Sequence, residues 1–149
     1  MTEVGEQSLR DAVRTVWSTV LGLEIAPDAP GPAPQRGVRG LVKITGRWQG
    51  AVTMDCPRDL ARQAAALMLG VEPGETTPVQ IHDAVGELTN MIGGNVKPLL
   101  PRPCKLAPPE VVDGAIGCGE PLEFQAFTSL GFHCLDTSFR VTIRRDGPA

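Results

Sequence analysis

A capped amphipathic helix between residues 77 and 100 constrains the fold of this chain most strongly. Thr77 suits the N-cap position and Pro78 the first helical position, and Gln80 stands at the capping-box distance from Thr77. Five apolar residues then recur every three or four positions and share one stripe that should face a core: Ile81, Val85, Leu88, Ile92 and Val96. Pro98, with a cation just before it, is expected to end the helix.

The opposite side of this predicted helix carries a polar stripe made of Asp83, Glu87, Asn90 and Gly94. Glu87 and Asn90 are three residues apart, so their side chains are neighbours, with Cβ atoms about 5–6 Å from each other. A carboxylate that only accepts hydrogen bonds would stand beside an amide that both donates and accepts. Gly93 and Gly94 each cost about 1 kcal/mol of helix propensity relative to alanine, so we expect a packing or docking reason for the pair. A bare surface beside the carboxylate and the amide would let a partner's backbone approach closely. The alternative interpretation is that the polar residues only solvate an exposed helix face.

A motif on this stripe resembles the signature of the CheC/CheX/FliY phosphatases of bacterial chemotaxis, and it is closest to the CheX type. It reads Asp83-(x)3-Glu87-(x)2-Asn90-Met91-Ile92-(x)-Gly94-Asn95. Residues 106–143 also read like the family's C-terminal strands, so the likeness covers most of the chain. The single E-x-x-N matches the one-site CheX pattern, whereas CheC-type members carry two such sites.

The resemblance implies a phosphatase that removes the aspartyl phosphate of a CheY-like response-regulator receiver domain, in chemotaxis or two-component signalling. Glu87 and Asn90 are the catalytic residues that it implies. Asn90 would orient a water in line with the phosphate, and Glu87 would pair with the receiver's invariant lysine. Asp83 and Gly94, on the same stripe, are the expected further contacts of the partner. No cofactor is expected on this chain, because the receiver would hold the Mg²⁺, and the family also implies a homodimer.

Two other functions stay open at this point. The same fold would serve as a non-catalytic adaptor of a signalling or flagellar complex, with Glu87 and Asn90 as mere surface. It would also serve as an oligomeric structural domain without a receiver partner. A phosphatase is the first hypothesis because hydrolysis of an acyl phosphate mostly requires a positioned water, which an amide supplies without a nucleophile.

Composition and charge argue against several other classes. A net charge of −3 and the lack of a Lys/Arg run interleaved with aromatic residues argue against nucleic-acid binding. No apolar run approaches 18 residues, and the charged N-terminus does not resemble a signal peptide, so we expect a cytoplasmic protein without membrane insertion. The four cysteines have no close pair, which predicts no metal site and small core residues instead: Cys56, Cys104, Cys118 and Cys134.

The whole chain, residues 1–149, is predicted to form one CheX-like domain of the α+β class. An N-terminal helix is expected over 6–22, a proline-rich extended connector over 26–36 and the core over 37–145. The core is predicted to place two long helices on one face of a mainly antiparallel sheet of about five or six strands, with the first helix added.

Within this core, a hairpin is expected over 37–55, turning at 45–47, with one covered face on its second strand. Pro57 should open a helix that ends at Gly70 and buries four residues: Leu60, Ala64, Leu67 and Met68. Prolines predict an extended or looped segment over 98–109. Three strands should follow, the last with one dry and one wet face, over 110–118, 122–130 and 139–143.

Overall fold

Three α-helices and a seven-stranded antiparallel sheet share one hydrophobic core in the computed structural model, which describes residues 4–28, 34, 36–116 and 124–146. The helices are α1 (Glu6–Val16), α2 (Arg58–Leu69) and α3 (Pro78–Val96). The strands are β1 (Ala26–Pro27), β2 (Arg36–Gly46), β3 (Gly50–Cys56), β4 (Cys104–Leu106), β5 (Glu110–Ala115), β6 (Phe124–Cys134) and β7 (Thr137–Asp146). The predicted α+β architecture is confirmed.

The sheet is built around the long strand β2. Its strands follow the order β1-β6-β7-β3-β2-β4, and β5 also pairs with β2. The two short strands divide β2 between them: β4 pairs with Ile44–Gly46, and β5 pairs with Arg36–Leu41. In the described ranges β5 has β2 as its only neighbour, so it lies at an edge of the sheet. The backbone groups of such an edge are the kind of surface through which a second copy of the chain would add its own strand. The homodimer stays a prediction.

The N-terminal helix follows the expected apolar pattern and changes its geometry at the end. α1 runs to Val16 and continues as one π-helical turn, Trp17–Leu21, before Gly22 ends it in a left-handed conformation. Trp17 is fully buried and stacks on Phe139 of β7, with ring centroids 4.2 Å apart. The aromatic stack therefore fixes α1 on the same face of the sheet as the other helices.

Helix α2 ends as predicted but buries a different set of residues. Gly70 takes the left-handed conformation that commonly ends a helix, and Leu60 and Ala64 are buried. Leu67 was expected in the core, yet 47% of it is exposed, and Met68 is only half-buried. The last turn of α2 thus extends past the part of the core that the sheet covers.

The second faces of β3 and of the last strand are largely buried, contrary to the prediction of one covered face on each. All seven residues of β3 are buried, and Thr142 and Arg144 of β7 are buried as well. On this face the side chains cover one another across the strands, and Arg144 Nε donates to Thr53 Oγ1 over 3.3 Å. The polar groups there bond to one another: Arg39 contacts the carboxylate of Asp55 through two hydrogen bonds of 2.6 and 3.0 Å.

Two segments predicted as connectors contain strands. Ala26–Pro27 pairs with Phe132 and His133 of β6, although the prolines favour an extended connector over 26–36. Most of the rest of that connector lies outside the described residues. Within the segment 98–109, the backbone of Cys104–Leu106 pairs with the last three residues of β2 and forms strand β4. The end of one predicted strand, residues 117–118, and the start of the next, residues 122–123, also lie outside the described residues.

Candidate functional site

Helix α3 begins at the predicted capping box. The backbone N–H of Gln80 donates to Thr77 Oγ1 over 3.2 Å, and the backbone N–H of Thr77 donates to Gln80 Oε1 over 3.0 Å. Pro78 occupies the first turn, and the helix continues to Val96 before one 3₁₀ turn that contains Pro98. These two reciprocal hydrogen bonds satisfy two backbone N–H groups at the start of the helix, so α3 begins at a defined residue.

The inner face of α3 lies close to β2. The predicted apolar stripe is fully buried, and Thr89 beside it donates a hydrogen bond of 2.7 Å to the backbone oxygen of Val85. Thr89 Oγ1 occupies the place that a Cβ on Gly40 of β2 would take. Gly93 is buried, and a Cβ there would lie 3.6–3.7 Å from Val42 and Leu106. Of the two reasons expected for the glycine pair, packing against the sheet therefore applies to Gly93.

The outer face of α3 carries the four predicted site residues together. Asp83, Glu87 and Gly94 are exposed, and Asn90 is half-buried. A Cβ on Gly94 would meet no atom within 4 Å, so this position is open surface. Glu87 and Asn90 lie one turn apart, as their spacing requires.

The polar groups of this face have no partner within the described residues. None of Asp83, Glu87 and Asn90 makes a side-chain hydrogen bond or an ion pair with any residue that the structure describes. An exposed carboxylate and a neighbouring amide without internal partners are free to bond to another molecule. Asn90 is the less exposed of the two side chains.

The side chains on this face are suited to positioning another molecule by hydrogen bonds. The amide of Asn90 can donate to one atom and accept from another, which is what orienting a water requires. No group of three or more His, Cys, Asp or Glu side chains that could hold a metal occurs in the part of the chain that the structure describes. Glu87 and Asp83 are the two carboxylates on this face, and they are suited to a cationic partner group.

Two depressions lie beside the polar stripe, one on each side of Asn90. The first, of about 230 Å³, lies between α2 and the first half of α3 and is lined by Met68, Leu69, Gln80, Asp83, Ala84 and Glu87. The second, of about 400 Å³, lies between α1 and the end of α3, and its lining includes Asp11, Thr15, Gly94 and Asn95. That the end of α2 lines this surface was not predicted from the sequence. The consecutive apolar residues Leu67, Met68 and Leu69 indicate it, because they cannot all face one core.

A second polar cluster lies near the start of α3 and has a structural role. His82 Nε2 is 3.0 Å from Asp113 Oδ2 of β5, and Arg58 at the start of α2 bonds to the same carboxylate oxygen. These hydrogen bonds, from Arg58 first and then His82, lower the pKa of Asp113. The cluster fastens the edge strand β5 to both helices.

The cysteines described by the structure are core residues, as predicted. Cys56, Cys104 and Cys134 are buried free thiols, and Cys118 lies outside the described residues. Burial raises the pKa of the thiols of Cys56 and Cys134, so both stay protonated and unreactive near neutral pH. None of the described helices has the length and apolar character needed to cross a bilayer.

Comparisons with known proteins agree with this geometry. Residues 38–125, more than half of the chain, match the family model described as chemotaxis phosphatase CheX. The fold is similar to that of the chemotaxis protein CheX from Vibrio vulnificus, with 24% identity and a TM-score of 0.77 over 93% of each chain. A CheC-like superfamily protein from Shewanella sp. PV-4 is 25% identical, with a TM-score of 0.76 over 95% of this chain and 96% of the other.

A further similar structure is that of a complex. The CheX–CheY–BeF3–Mg²⁺ complex from Borrelia burgdorferi matches at 21% identity with a TM-score of 0.69, over 94% of this chain and 97% of the other. The curated proteins contain no significant match to this sequence. The family match spans most of β2 and all of β3, α2, α3, β4 and β5, and the polar face of α3 lies inside it. This chain therefore belongs to the CheX family.

Proposed function

We propose that this protein hydrolyses the aspartyl phosphate of a CheY-like receiver domain. One observation carries the proposal: in a chain of the CheX family, Glu87 and Asn90 lie one turn apart on an exposed helix face without a partner among the described residues. The complex from Borrelia burgdorferi supports the partner class, because it joins a CheX to a CheY in the presence of BeF3 and Mg²⁺.

In this mechanism Asn90 holds the attacking water. Its amide accepts a hydrogen bond from the water or donates one to it, and so aligns the water oxygen with the phosphorus–oxygen bond that breaks. Water attacks phosphorus, the bond to the receiver's aspartyl oxygen breaks, and inorganic phosphate leaves. By analogy with loss of one oxyanion donor, this single amide contributes about 10²–10³-fold in rate.

Glu87 fixes the position of the two proteins. Its carboxylate pairs with the receiver's active-site lysine and brings Asn90 over the phosphoryl group. The Mg²⁺ is the receiver's own and neutralises charge on the phosphoryl oxygens, so this chain requires no cofactor. Asp83 and Gly94 lie on either side of Glu87 and Asn90 along the helix and extend the contact with the receiver.

The proposal is tested by the lifetime of the phosphate on a CheY-like receiver, with Mg²⁺, in the presence and absence of this protein. A phosphatase shortens this lifetime in proportion to its concentration until the receiver is saturated. An adaptor would bind the receiver and leave the lifetime unchanged, which would contradict the proposal. The same assay therefore separates the two functions that the sequence left open.

A further inference from the structure

We propose that one end of this protein adsorbs to the surface of a bilayer that contains anionic phospholipids. This end is called the basic corner here, and it lies where the turn from β2 to β3 meets the segment from α3 to β4. It carries five exposed cationic side chains: Lys43, Arg47, Lys97, Arg102 and Lys105. The inference is independent of the proposed function, because none of these residues belongs to the polar face of α3.

Backbone pairing between β2 and β4 brings two lysines together. Lys105 of β4 pairs with Thr45 of β2, and the N–H of Ala107 donates to the backbone oxygen of Lys43 over 2.9 Å. Side chains that are diagonal neighbours on one face of an antiparallel pair are about 7–8 Å apart. Lys43 and Lys105 stand in this relation, so they present two positive charges on the same face of the sheet.

The other three cations lie around this lysine pair. The N–H of Arg47, in the turn after β2, donates to the backbone oxygen of Pro103 over 3.0 Å. This contact places Arg47 beside the loop that carries Arg102. Lys97 begins the 3₁₀ turn that follows α3, and this turn contacts β4. The charge is therefore spread over a helix end, a turn, a loop and two strands.

The basic corner has an excess of positive charge. Among the residues that the structure describes, none forms an ion pair with any of the five cations. Two carboxylates border the corner: Glu110, which is opposite Leu41 of β2, and Asp146, whose N–H donates to the backbone oxygen of Gln49. Because like charges gathered on one surface repel one another, this arrangement is favourable only where an anionic surface meets it.

Protection of a sheet edge explains only part of this charge. β4 is the last strand in the order of the sheet, and a lysine on such a strand hinders pairing with another chain. Lys105 has this position, but the other four cations lie outside β4. None of the five lines the two depressions beside the polar stripe, so their arrangement suits a broad surface and not a groove.

An exposed leucine favours a bilayer over a nucleic acid. Leu99, in the same turn as Lys97, is 39% exposed, and Pro98 and Pro103 are exposed too. A bilayer interface takes up an aliphatic side chain between its headgroups, whereas the sugar–phosphate backbone of a nucleic acid offers it no apolar surface. Surfaces that bind single strands stack the bases on aromatic rings, but Trp48 beside Arg47 is buried.

The net charge of −3 does not prevent this contact. Asp83 and Glu87 are the acidic residues of α3, and Glu87 lies ten residues, or about 15 Å of helix rise, before Lys97. Exposed charges are largely screened from each other beyond about 8–10 Å at physiological salt. The polar face lies along the side of α3 and the basic corner at its end, so both surfaces can be occupied together.

Two pairs of arginines give a matched test. Arg47 and Arg102 belong to the basic corner, whereas Arg14 of α1 and Arg36, at the opposite end of β2, are exposed and lie outside it. The measurement is cosedimentation with vesicles of phosphatidylcholine that contain about one third phosphatidylglycerol, at about 0.1 M salt. Each cation near an anionic surface raises the partition constant about fivefold, so Arg47→Gln/Arg102→Gln should lower it about 25-fold.

The control variant Arg14→Gln/Arg36→Gln removes the same charge and should keep the partition constant within about twofold of wild type. Equal losses in the two double variants would show that only the total charge matters, and they overturn the inference. Failure of the wild-type protein to bind these vesicles overturns it as well. The binding is measured without a receiver, so its outcome is separate from that of the phosphatase assay.

The apolar contact is tested at Leu99. Leu99→Ser should lower the partition constant about threefold, because the aliphatic side chain no longer enters the interface. Leu67→Ser is the control, since Leu67 is 47% exposed but lies on α2, away from the basic corner, and its partition constant should equal that of wild type. Equal partition constants for the two variants overturn the choice of a bilayer.

Competition identifies the class of the anionic partner. Vesicles of pure phosphatidylcholine should bind little protein, and about 0.5 M salt should release the protein from the mixed vesicles, since the attraction is electrostatic. A short DNA duplex at an equal concentration of phosphate groups should leave the protein on the mixed vesicles. Displacement by this duplex, or equal binding to neutral and mixed vesicles, overturns the inference.

Discussion

Thr89 of α3 lies directly over Gly40 of β2, with its hydroxyl oxygen where a Cβ on that glycine would be. The Cβ of Thr89 would lie only 3.0 Å from such an atom, and Val85 Cγ1 only 3.1 Å from it. The helix that bears Glu87 and Asn90 is therefore held against the sheet at a distance that only glycine on β2 allows. The height of the polar face above the sheet follows from this contact.

Gly40→Ala should lower the free energy of unfolding by about 2 kcal/mol, because the added methyl group overpacks the contact between α3 and β2. Urea denaturation measures the loss. Adding Thr89→Ala removes the hydroxyl that clashes, so the double variant should be less destabilised than the sum of the single variants. Simple additivity would show that Thr89 and Gly40 are not in contact.

Gly94→Ala and Gly93→Ala should separate docking from stability. Both add a methyl group to a helix and should stabilise it by up to about 1 kcal/mol, since neither position is sterically blocked. Gly94 faces outward, so its variant should bind the beryllofluoride-activated receiver more weakly, whereas Gly93 faces Val42 and Leu106 and its variant should bind normally. Calorimetric Kd values give the comparison. Equal Kd values for the two variants would remove Gly94 from the partner surface.

The contribution of Asp113 to stability should disappear in acid. Arg58 and His82 lower the pKa of Asp113 in the folded state, so its ion pair stabilises the fold fully above the unfolded-state pKa, about 3.9. The contribution is lost as pH falls through the lower, folded-state value. Asp113→Asn should therefore cost about 0.5–1 kcal/mol at pH 7, because the pair is partly exposed, and progressively less below about pH 4.

Denaturation curves across this range measure the difference between wild-type protein and Asp113→Asn. Asp59→Asn is the control, because Asp59 is exposed and, among the residues that the structure describes, forms an ion pair only with Arg62 on its own helix. A difference between wild type and Asp113→Asn that grows as pH falls would contradict the assigned direction.

Glu87→Ala should weaken docking and leave the chemical step largely intact. Loss of a carboxylate that pairs with a receiver lysine should raise Kd for the activated receiver about tenfold, while phosphate release at saturating protein stays within a few-fold of wild type. A titration of the decay rate against protein concentration gives both numbers. A large fall in the saturated rate with an unchanged Kd would assign Glu87 to the chemical step instead.

The parts of the site that the sequence predicts are those determined within α3 itself. Thr77 and Gln80 form the cap because both partners are three residues apart, and the buried stripe follows from helical periodicity alone. Once the start and the buried face are known, the outward direction of Glu87 and Asn90 follows.

The features that the sequence did not predict depend on which elements become neighbours. The apolar run Leu67, Met68 and Leu69 shows that these residues cannot all face one core, but it does not show which of them are exposed, and in the structure Leu67 and Leu69 are. Arg144 is buried against the side chains of the neighbouring strand, where its Nε donates to Thr53, and Ala26–Pro27 forms a strand because β6 offers it an edge. The sequence left packing and docking open for Gly93, because a glycine is equally suited to helix–sheet packing and to an open surface.

The most direct test of the central claim is the saturated rate of phosphate loss from a CheY-like receiver, measured with wild-type protein, Asn90→Ala and Asn95→Ala. Asn95 is the other asparagine of α3, and its amide bonds to the backbone oxygen of Ala12, so its variant controls for loss of an amide from the same helix. The proposed mechanism predicts that Asn90→Ala binds the activated receiver with a Kd near that of wild type but loses about 10²–10³-fold in rate. Asn95→Ala should keep the wild-type rate. Hydrolysis by Asn90→Ala at the wild-type rate would contradict the mechanism.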